Sequence, residues 1–251
     1  MKNNELDYYN KIKNWDFSKI KYETEKITNW DMYEEIAKYT DNNSFCLDLG
    51  TGGGEKVLKK YPEVWMIIAT DFSQKMINTA KSNLKARKKI KFAKMNNLKI
   101  NFPNEIFNLV SARHTVINAK EIYRVLEKGG IVVIQGVDKE DCIELKDIFK
   151  RGQAYNDEKA ISQIDYEDLI NSGFEIVKNV KIKENEYFKT KEDLLALLFK
   201  TPILDDFSEV KIKHKGIHIE NDLLEKYIKD NITEKGILLK RRLYGIVARK
   251  K

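Results

Sequence analysis

A glycine-rich turn directly behind a short apolar run is the feature that most limits how this chain can fold. Residues 44–50 read SFCLDLG, and glycine fills four of the five positions from Gly50 to Gly54. Glycine tolerates a left-handed backbone and lets a ligand approach the main chain closely. Such a turn is typical of the first strand-to-helix connection of a parallel sheet, where its free N–H groups face a ligand.

Helix and strand signals alternate along most of the chain. MYEEIAKYT, EKVLKKY and SQKMINTAKSNLKA have helical spacing, the last with Ser73 as its N-cap, and AKEIYRVLEKGG predicts a helix that its glycines end. SFCLDLG, VWMIIATD, IKFAKM, IFNLVSA and IVVIQGV are apolar runs of strand length. FEIVKNVKIKE and the C-terminal RRLYGIVARK are two further strands that predict an antiparallel edge. The pattern therefore predicts an α/β fold with a mostly parallel, seven-stranded sheet and an antiparallel C-terminal edge strand.

Two regions depart from this alternation and suggest additions to the core. Residues 1–40 are polar and aromatic and are predicted to form an N-terminal helical cap. Residues 186–236 separate the last two strands with helical stretches such as KEDLLALLFKT, and we expect a helical insertion on the substrate side. A Rossmann-like core is expected in residues 41–185 and 237–251.

Composition excludes several classes of protein. With 251 residues and 42% hydrophobic content the chain can bury a full core, and it has no apolar run near the ~20 residues that cross a membrane. It has no apolar N-terminal leader and only two cysteines, which predicts a cytoplasmic protein without a structural zinc site or another metal. The formal charge of +7 is spread along the chain and leaves affinity for nucleic acid open.

The residues around the turn discriminate among nucleotide ligands. A phosphate-binding loop for ATP or GTP needs Lys and Ser or Thr at the helix start, but Glu55, Lys56 and Val57 follow Gly54. The dinucleotide pattern G-x-G-x-x-G fails because Glu55 stands at its third glycine and would repel a pyrophosphate. A ligand with an amino-acid end and a sulfonium charge meets no such repulsion, which favours S-adenosyl-L-methionine.

The same residues resemble a known family. Asp48-Leu49-Gly50-Thr51-Gly52-Gly53-Gly54 resembles the first motif, D-x-G-x-G-x-G, of class I S-adenosylmethionine-dependent methyltransferases. IIATDFSQKMINTA resembles the second motif, NLKINFPNEIFNLVSARH a later one, and EIYRVLEKGGIVVIQ the segment that precedes the fifth strand. LDLGTGGGE together with ARH is similar to a bacterial subgroup of small methyltransferases. The resemblance covers most of the chain and implies a Rossmann-like class I methyltransferase fold.

The resemblance also implies the roles of individual residues. In the second motif an acid at the end of the second strand accepts the ribose hydroxyls. Asp71 stands at that position, with Phe72 beside the adenine. Asn96 stands where the family has an adenine-recognising Asp, a departure that leaves an amide oxygen as acceptor. His114 is a candidate general base, and a loop histidine without a catalytic role is an equal alternative. The residues implied to bind cofactor are Asp48, Gly50, Thr51, Gly52, Asp71, Phe72, Asn96, Asn97, Ser111 and Arg113.

The substrate is less well defined than the cofactor. We expect a methyltransferase that acts on O or N of a small molecule and releases S-adenosyl-L-homocysteine, because the cap and insertion suit an enclosed acceptor. The alternative is an RNA base methyltransferase, since LLALLFKTP resembles a stretch of ribosomal-RNA guanine methyltransferases, although their cysteine cluster is missing. A noncatalytic cofactor-binding protein is a third possibility. No sequence feature predicts the oligomeric state.

Overall fold

The computed structural model of the protein describes residues 17–84, 89–205 and 219–251. Tyr8, Tyr9 and Trp15 of the predicted cap lie outside these ranges. The helices are α1 (Met32–Ala37), α2 (Glu55–Lys60), α3 (Gln74–Asn83), α4 (Ala119–Val125), α5 (Ile143–Phe149), α6 (Ile161–Asn171), α7 (Lys191–Lys200) and α8 (Asn221–Asn231), with a 3-10 turn at Pro202–Leu204. The strands are β1 (Tyr22–Lys26), β2 (Phe45–Leu49), β3 (Met66–Asp71), β4 (Ile90–Lys94), β5 (Phe107–Arg113), β6 (Leu126–Val137), β7 (Phe174–Phe188), β8 (Ile232–Thr233) and β9 (Gly236–Lys250).

All of these strands belong to one twisted sheet. Their order is β1-β7-β9-β6-β5-β2-β3-β4, and β8 pairs with β9. Strands β2 to β6 run parallel, whereas β9 is antiparallel to both β6 and β7. The predicted mostly parallel α/β sheet with antiparallel pairing on one side is confirmed. The final strand, β9, is not the edge strand that the sequence predicted, because β7 and then β1 continue the sheet two positions beyond it.

Two strands were not among the seven predicted. The whole of β1 is exposed and reads YETEK, so it lacks the alternation by which strands are predicted. It forms because its backbone pairs with β7, from Tyr22 opposite Phe188 to Lys26 opposite Glu184. The described part of the predicted helical cap is thus one strand and one short helix. The second addition, β8, is two residues long.

Helix α4 is shorter than its sequence pattern predicts. The pattern continues to the glycines at 129 and 130, but the helix ends at Val125 and β6 begins at Leu126. The carbonyls of Arg124 and Val125 accept hydrogen bonds from the N–H groups of Glu105 and Ile106 at 3.0 and 2.9 Å. These bonds to the chain before β5 replace the next helical turn and draw the backbone into the sheet.

Hydrophobic clusters cover both faces of the sheet. Trp30, Ile36 and Tyr61 pack on one face, and Ile122 and Leu169 pack on the other. This arrangement explains why β2 and β5, buried between two helical layers, read as continuous apolar runs.

A third cluster lies beside the carboxyl end of the sheet. Leu243 of β9 pairs with Val137, the last residue of β6, so residues 237–242 of β9 extend past β6 and pair with β7. Helices α5, α7 and α8 pack on this extension around Phe188 and Tyr227. The helices of the 186–236 segment therefore lie on the side of the sheet where parallel strands end.

Candidate functional site

The chain order of the parallel strands reverses between β2 and β5, which are neighbours in the sheet. From β2 the chain continues through β3 and β4 in one direction, and β5 and β6 follow on the other side. A crevice forms at the carboxyl edge of such a switch point, and ligands of open α/β sheets bind there. The turn at residues 50–54 and the end of β5 at Arg113 both lie at this position.

The backbone of the turn explains its glycines. Gly50, Gly52 and Gly54 have φ values of +69°, +59° and +79°, in the left-handed region that side chains disfavour. A Cβ on Gly50 would also lie 2.6 Å from Cβ of Thr115. The turn therefore requires glycine at alternate positions and lies directly against the segment that follows β5.

The N–H groups of the turn are used differently from the sequence expectation. Thr51 donates to the carbonyl of Thr70 at 2.8 Å, and Gly54 donates to the carbonyl of Thr51 at 3.1 Å. Gly52 donates to Oδ2 of Asp71 at 2.9 Å. These three amides are satisfied within the protein, so the turn is held in shape before any ligand binds.

Asp71 lies at the centre of the site. Its Oδ1 accepts from the N–H of Ser73 at 2.8 Å while Oδ2 accepts from Gly52. Burial raises the pKa of this carboxyl, and the two backbone hydrogen bonds act in the opposite direction. Each oxygen still has acceptor capacity for hydroxyl groups. Phe72, the next residue, is 38% exposed beside it, as a residue that stacks on a ligand would be.

Asp48 is buried beneath the turn. Its Oδ1 accepts from the hydroxyl of Ser111 at 2.6 Å, and that hydroxyl lies 3.2 Å from the hydroxyl of Tyr61. Burial raises the pKa of Asp48 to about 6, against an ordinary value of 3.8. Ser111 is fully buried, so this structure shows it supporting Asp48 and not lining an open surface.

The two asparagines that follow β4 differ in their surroundings. Asn96 is exposed, and its Oδ1 accepts from the N–H of Leu98 at 2.9 Å. Asn97 is half-buried, and its Nδ2 donates to Oγ1 of Thr115 at 2.9 Å. Asn97 therefore connects the β4 end of the site to Thr115, which lies against Gly50.

Several buried polar atoms around the turn have no partner within the described residues. They are Oε1 of Glu55, Oγ of Ser73 and Oδ1 of Asn97. Glu55 folds back over Gly53, where any side chain would collide with Oε1. Buried polar groups are usually hydrogen-bonded, so three orphaned atoms around one turn fit a polar ligand that completes them.

His114 follows β5 and begins the far side of the crevice. Its φ is +51°, and its N–H donates to the carbonyl of Gln135 at 2.7 Å. Nε2 of Gln135 lies 3.4 Å from Nε2 of His114, and Oε1 of Gln135 accepts from Nε1 of Trp30 at 2.8 Å. An amide nitrogen can only donate, so His114 Nε2 is the accepting, unprotonated nitrogen.

The environment of His114 favours its neutral form. Two effects lower the pKa of His114: protein atoms pack against its ring, although the residue remains exposed, and the positive charges of Arg113 and Arg241 lie nearby. Both effects hold the pKa of His114 well below 6.5. An imidazole that stays neutral at pH 7 can accept a proton.

The predicted residues gather into one site with a few additions. Gly50, Thr51, Gly52, Asp71 and Asp48 surround the turn, and Arg113 and His114 follow on the neighbouring strand. Trp30, Gln135 and Thr115 also contact this group, as the hydrogen bonds above show. Their contacts join residues far apart in the chain, so no local sequence signal identifies them.

A large groove lies elsewhere. It has a volume of about 770 Å³ and is lined by residues before β2 and at the start of β6, including Ser44, Gly129 and Arg249. This is the amino edge of the parallel strands, away from the switch point. Among residues 17–84, 89–205 and 219–251, no helix is long and apolar enough to span a membrane, and no cluster of potential metal ligands is found.

Comparison with known proteins agrees with this geometry. Residues 47–134 match the family described as methyltransferase domain, a segment that includes the turn, Asp71 and the end of β5 but less than half of the chain. The matched segment supports a methyltransferase. No curated protein is a significant match.

Solved structures share the fold at low sequence identity. A candidate methyltransferase from Bacillus halodurans C-125 has a TM-score of 0.61 at 19% identity, over 88% of this chain and 98% of that chain. A methyltransferase from Mesorhizobium loti, described as S-adenosylmethionine dependent, has a TM-score of 0.50 at 14% identity, over 88% and 98%. The [4+2]-cyclase SpnF has a TM-score of 0.53 at 18% identity, over 87% and 80%. At these identities the likeness establishes a Rossmann-like fold.

Proposed function

We propose that this protein is an S-adenosyl-L-methionine-dependent methyltransferase that acts on an oxygen or nitrogen of a small molecule. One observation carries the cofactor assignment: the glycine turn is bonded to the Asp71 carboxylate at the switch point of the sheet. A carboxylate in this place suits ribose hydroxyls, and Glu55 at the start of α2 would repel a pyrophosphate. The methyltransferase domain match over residues 47–134 supports the reaction class.

Particular residues of this chain would hold the cofactor. Asp71 would accept the ribose hydroxyls, and Phe72 would pack on the adenine. Asn96 and Asn97 offer amide groups to the adenine edge, and the alternate glycines let the ligand approach the turn closely. Asp48 supplies negative charge beneath the turn. When bound, the cofactor provides a methyl group already activated by its sulfonium.

The protein's own part in catalysis is to position the acceptor, exclude water and remove a proton where the acceptor requires it. His114 is the proposed base, because its ring is neutral at pH 7. Its unprotonated Nε2, which accepts from Gln135 at 3.4 Å, would take the proton when the acceptor replaces this contact. Gln135 is itself fixed by Trp30. His114 thus has a defined orientation on the acceptor side of the crevice.

A small acceptor is favoured by the elements around the carboxyl edge. Helices α7 and α8 and the extension of β7 and β9 form an apolar body beside the crevice. Positive charge is spread along the chain, as the interleaved acidic and basic residues of the sequence show. An apolar body beside the crevice, together with positive charge scattered along the sequence, suits a small molecule better than a long RNA backbone.

The proposal is tested by transfer of a labelled methyl group. The protein is incubated with methyl-labelled S-adenosyl-L-methionine and a cell extract separated into RNA, protein and small-molecule pools. We expect label in the small-molecule pool. Label in RNA would favour the RNA methyltransferase alternative, and S-adenosyl-L-homocysteine binding without any labelling would favour a noncatalytic cofactor-binding protein.

The base is tested in the same assay. His114→Asn should lower turnover by about 10²- to 10⁴-fold with nearly unchanged affinity for S-adenosyl-L-homocysteine. Full turnover in this variant would assign His114 a loop role.

A further inference from the structure

Arg113 differs from the other half-buried arginines of the protein in having no partner. Arg124 bonds to Glu121, Arg151 to Glu220 and Arg241 to Asp141 and Glu186, while Arg242 donates to a backbone carbonyl. Across the described ranges, the guanidinium of Arg113 makes neither a hydrogen bond nor an ion pair. Because partial burial of a charge without a partner costs free energy, this arginine is a candidate for binding an anion.

The carboxylates near Arg113 are not bonded to it. The charges of Glu184 and Asp48 act on Arg113 through space, without an ion pair. Asp48 accepts a hydrogen bond from Ser111, and its raised pKa reduces its negative charge near pH 6. Arg241, which also acts on Arg113, is held by two other carboxylates and adds positive charge to the surroundings.

Arg113 lies at the carboxyl edge of the sheet, where the crevice forms. It is the last residue of β5, opposite Gln135 of β6 and one residue beyond the Leu49–Ala112 pair that precedes the glycine turn. Lys56, at the start of α2, adds a second positive charge that acts on both Arg113 and His114. Three N–H groups of the turn are already used inside the protein and are not available to an anion.

We propose that Arg113 is the carboxylate-binding residue of this crevice and pairs its guanidinium with a carboxylate of a bound ligand. The inference rests on the proposed methyltransferase function and deepens it. A guanidinium presents paired donors that match the two oxygens of a carboxylate. The carboxylate comes from one of two sources, the methionine part of the cofactor or an acidic methyl acceptor.

Calorimetry distinguishes the first source. The ligands are S-adenosyl-L-homocysteine, which has the carboxylate, and 5′-methylthioadenosine, which lacks the amino-acid group. If the cofactor supplies the carboxylate, Arg113→Gln weakens S-adenosyl-L-homocysteine binding by about 10- to 100-fold and leaves 5′-methylthioadenosine binding unchanged. Arg113→Lys keeps the charge without the paired donors and should fall between the wild type and Arg113→Gln.

Labelling distinguishes the second source. The small-molecule pool is separated into fractions that an anion exchanger retains or passes. If the acceptor supplies the carboxylate, the wild type labels the retained fraction, and Arg113→Gln loses this labelling while keeping its affinity for S-adenosyl-L-homocysteine. Arg249→Gln is the matched control, since it removes an equal charge from an exposed position at the opposite edge of the sheet.

The outcomes separate this inference from the proposed function. A wild type that neither binds S-adenosyl-L-homocysteine nor labels any pool contradicts the proposed function itself. If the wild type does both, and Arg113→Gln and Arg113→Lys do so equally well, Arg113 binds no carboxylate. Thermal unfolding of each variant shows whether it is folded, and a variant that only loses stability, with ligand binding intact, overturns the inference.

Discussion

At the scale of the single residue, the Asp71 carboxylate has both a structural and a proposed binding role. It fixes Gly52 of the turn and the N–H of Ser73 at the start of α3. Replacing it with alanine would therefore disturb the turn as well as the ligand contact. Asparagine keeps the shape and one acceptor, so it is the sharper substitution.

We expect Asp71→Asn to weaken S-adenosyl-L-homocysteine binding by about 10- to 1,000-fold, measured by calorimetry, because charge-assisted hydrogen bonds to the ribose are lost. The melting temperature should fall slightly, since one amide of the turn loses its acceptor. Asp41→Asn is the control, because Asp41 also accepts backbone and side-chain hydrogen bonds but lies before β2, at the other edge of the sheet. A folded Asp71→Asn protein with wild-type affinity would remove Asp71 from the site.

Asp48 is a second residue with a measurable consequence. Its pKa is about 6 in the folded protein against 3.8 ordinarily, so the folded state binds the proton more tightly than the unfolded chain. The contribution of Asp48 to the free energy of unfolding should therefore fall as pH rises from about 4 to 6 and then level off. Asp48→Asn should remove this contribution, so the free energy of unfolding of the variant should exceed that of the wild type by roughly 2–3 kcal/mol at pH 7.5.

Urea unfolding of both proteins at pH 4 and pH 7.5 measures this difference. If the two proteins differ in free energy of unfolding by the same amount at both pH values, the Asp48 carboxyl does not titrate between pH 4 and pH 7.5. S-adenosyl-L-homocysteine binding by the same variant should weaken, since the negative charge beneath the turn is lost.

At the scale of the element, α2 begins against the glycine turn and packs closely on its neighbours. Gly54, its N-cap, has a φ of +79°, and an added Cβ would lie 3.2 Å from Cβ of Ala80 and 3.2 Å from the ring of Phe92. Gly129 has a similar φ of +82° with nothing within 4 Å of an added Cβ. The two glycines share a backbone constraint and differ in packing.

Gly54→Ala should lower the free energy of unfolding by about 2–4 kcal/mol, and Gly129→Ala by about 1 kcal/mol, because the first adds crowding to the backbone strain. Urea unfolding measures both values. The difference between them reports how closely α2 must approach α3 and β4. Equal losses would show that only the backbone requires glycine at Gly54.

At the scale of the whole molecule, the distribution of charge separates the two substrate classes. The formal charge of +7 comes from 46 basic and 39 acidic residues, interleaved along the chain. A small acceptor held by one or two ionic contacts should lose less than about fivefold in affinity between about 50 and 300 mM salt. An RNA held through five phosphates would lose about 500-fold over the same range.

The salt dependence of substrate affinity is measured from the rate of methyl labelling at subsaturating substrate, repeated across this salt range. A steep loss with label in the RNA pool would contradict the small-molecule assignment.

Much of the architecture follows from local sequence pattern. The central strands β2, β3 and β5 are largely apolar because helices cover both faces of the sheet. The alternate glycines are required by backbone conformation at single positions. Both signals are present in a few consecutive residues. Asp71 is singled out by the resemblance of IIATDFSQKMINTA to a methyltransferase motif, and the structure places it at the end of β3, just before the helix that it helps to begin.

Contacts between distant parts of the chain were decided only by the tertiary structure. Strand β1 has no hydrophobic alternation and exists because β7 offers it a backbone edge. The link from Trp30 through Gln135 to His114 includes a hydrogen bond between residues 105 positions apart in the chain. Pairing of charges is also a tertiary property: sequence shows that Arg113 is charged, but only the fold shows that the acids near it form no ion pair with it. The sequence by itself thus determined the sheet and its glycine turn, because periodicity and backbone conformation are local, while the fold decided which polar groups remain free for a ligand.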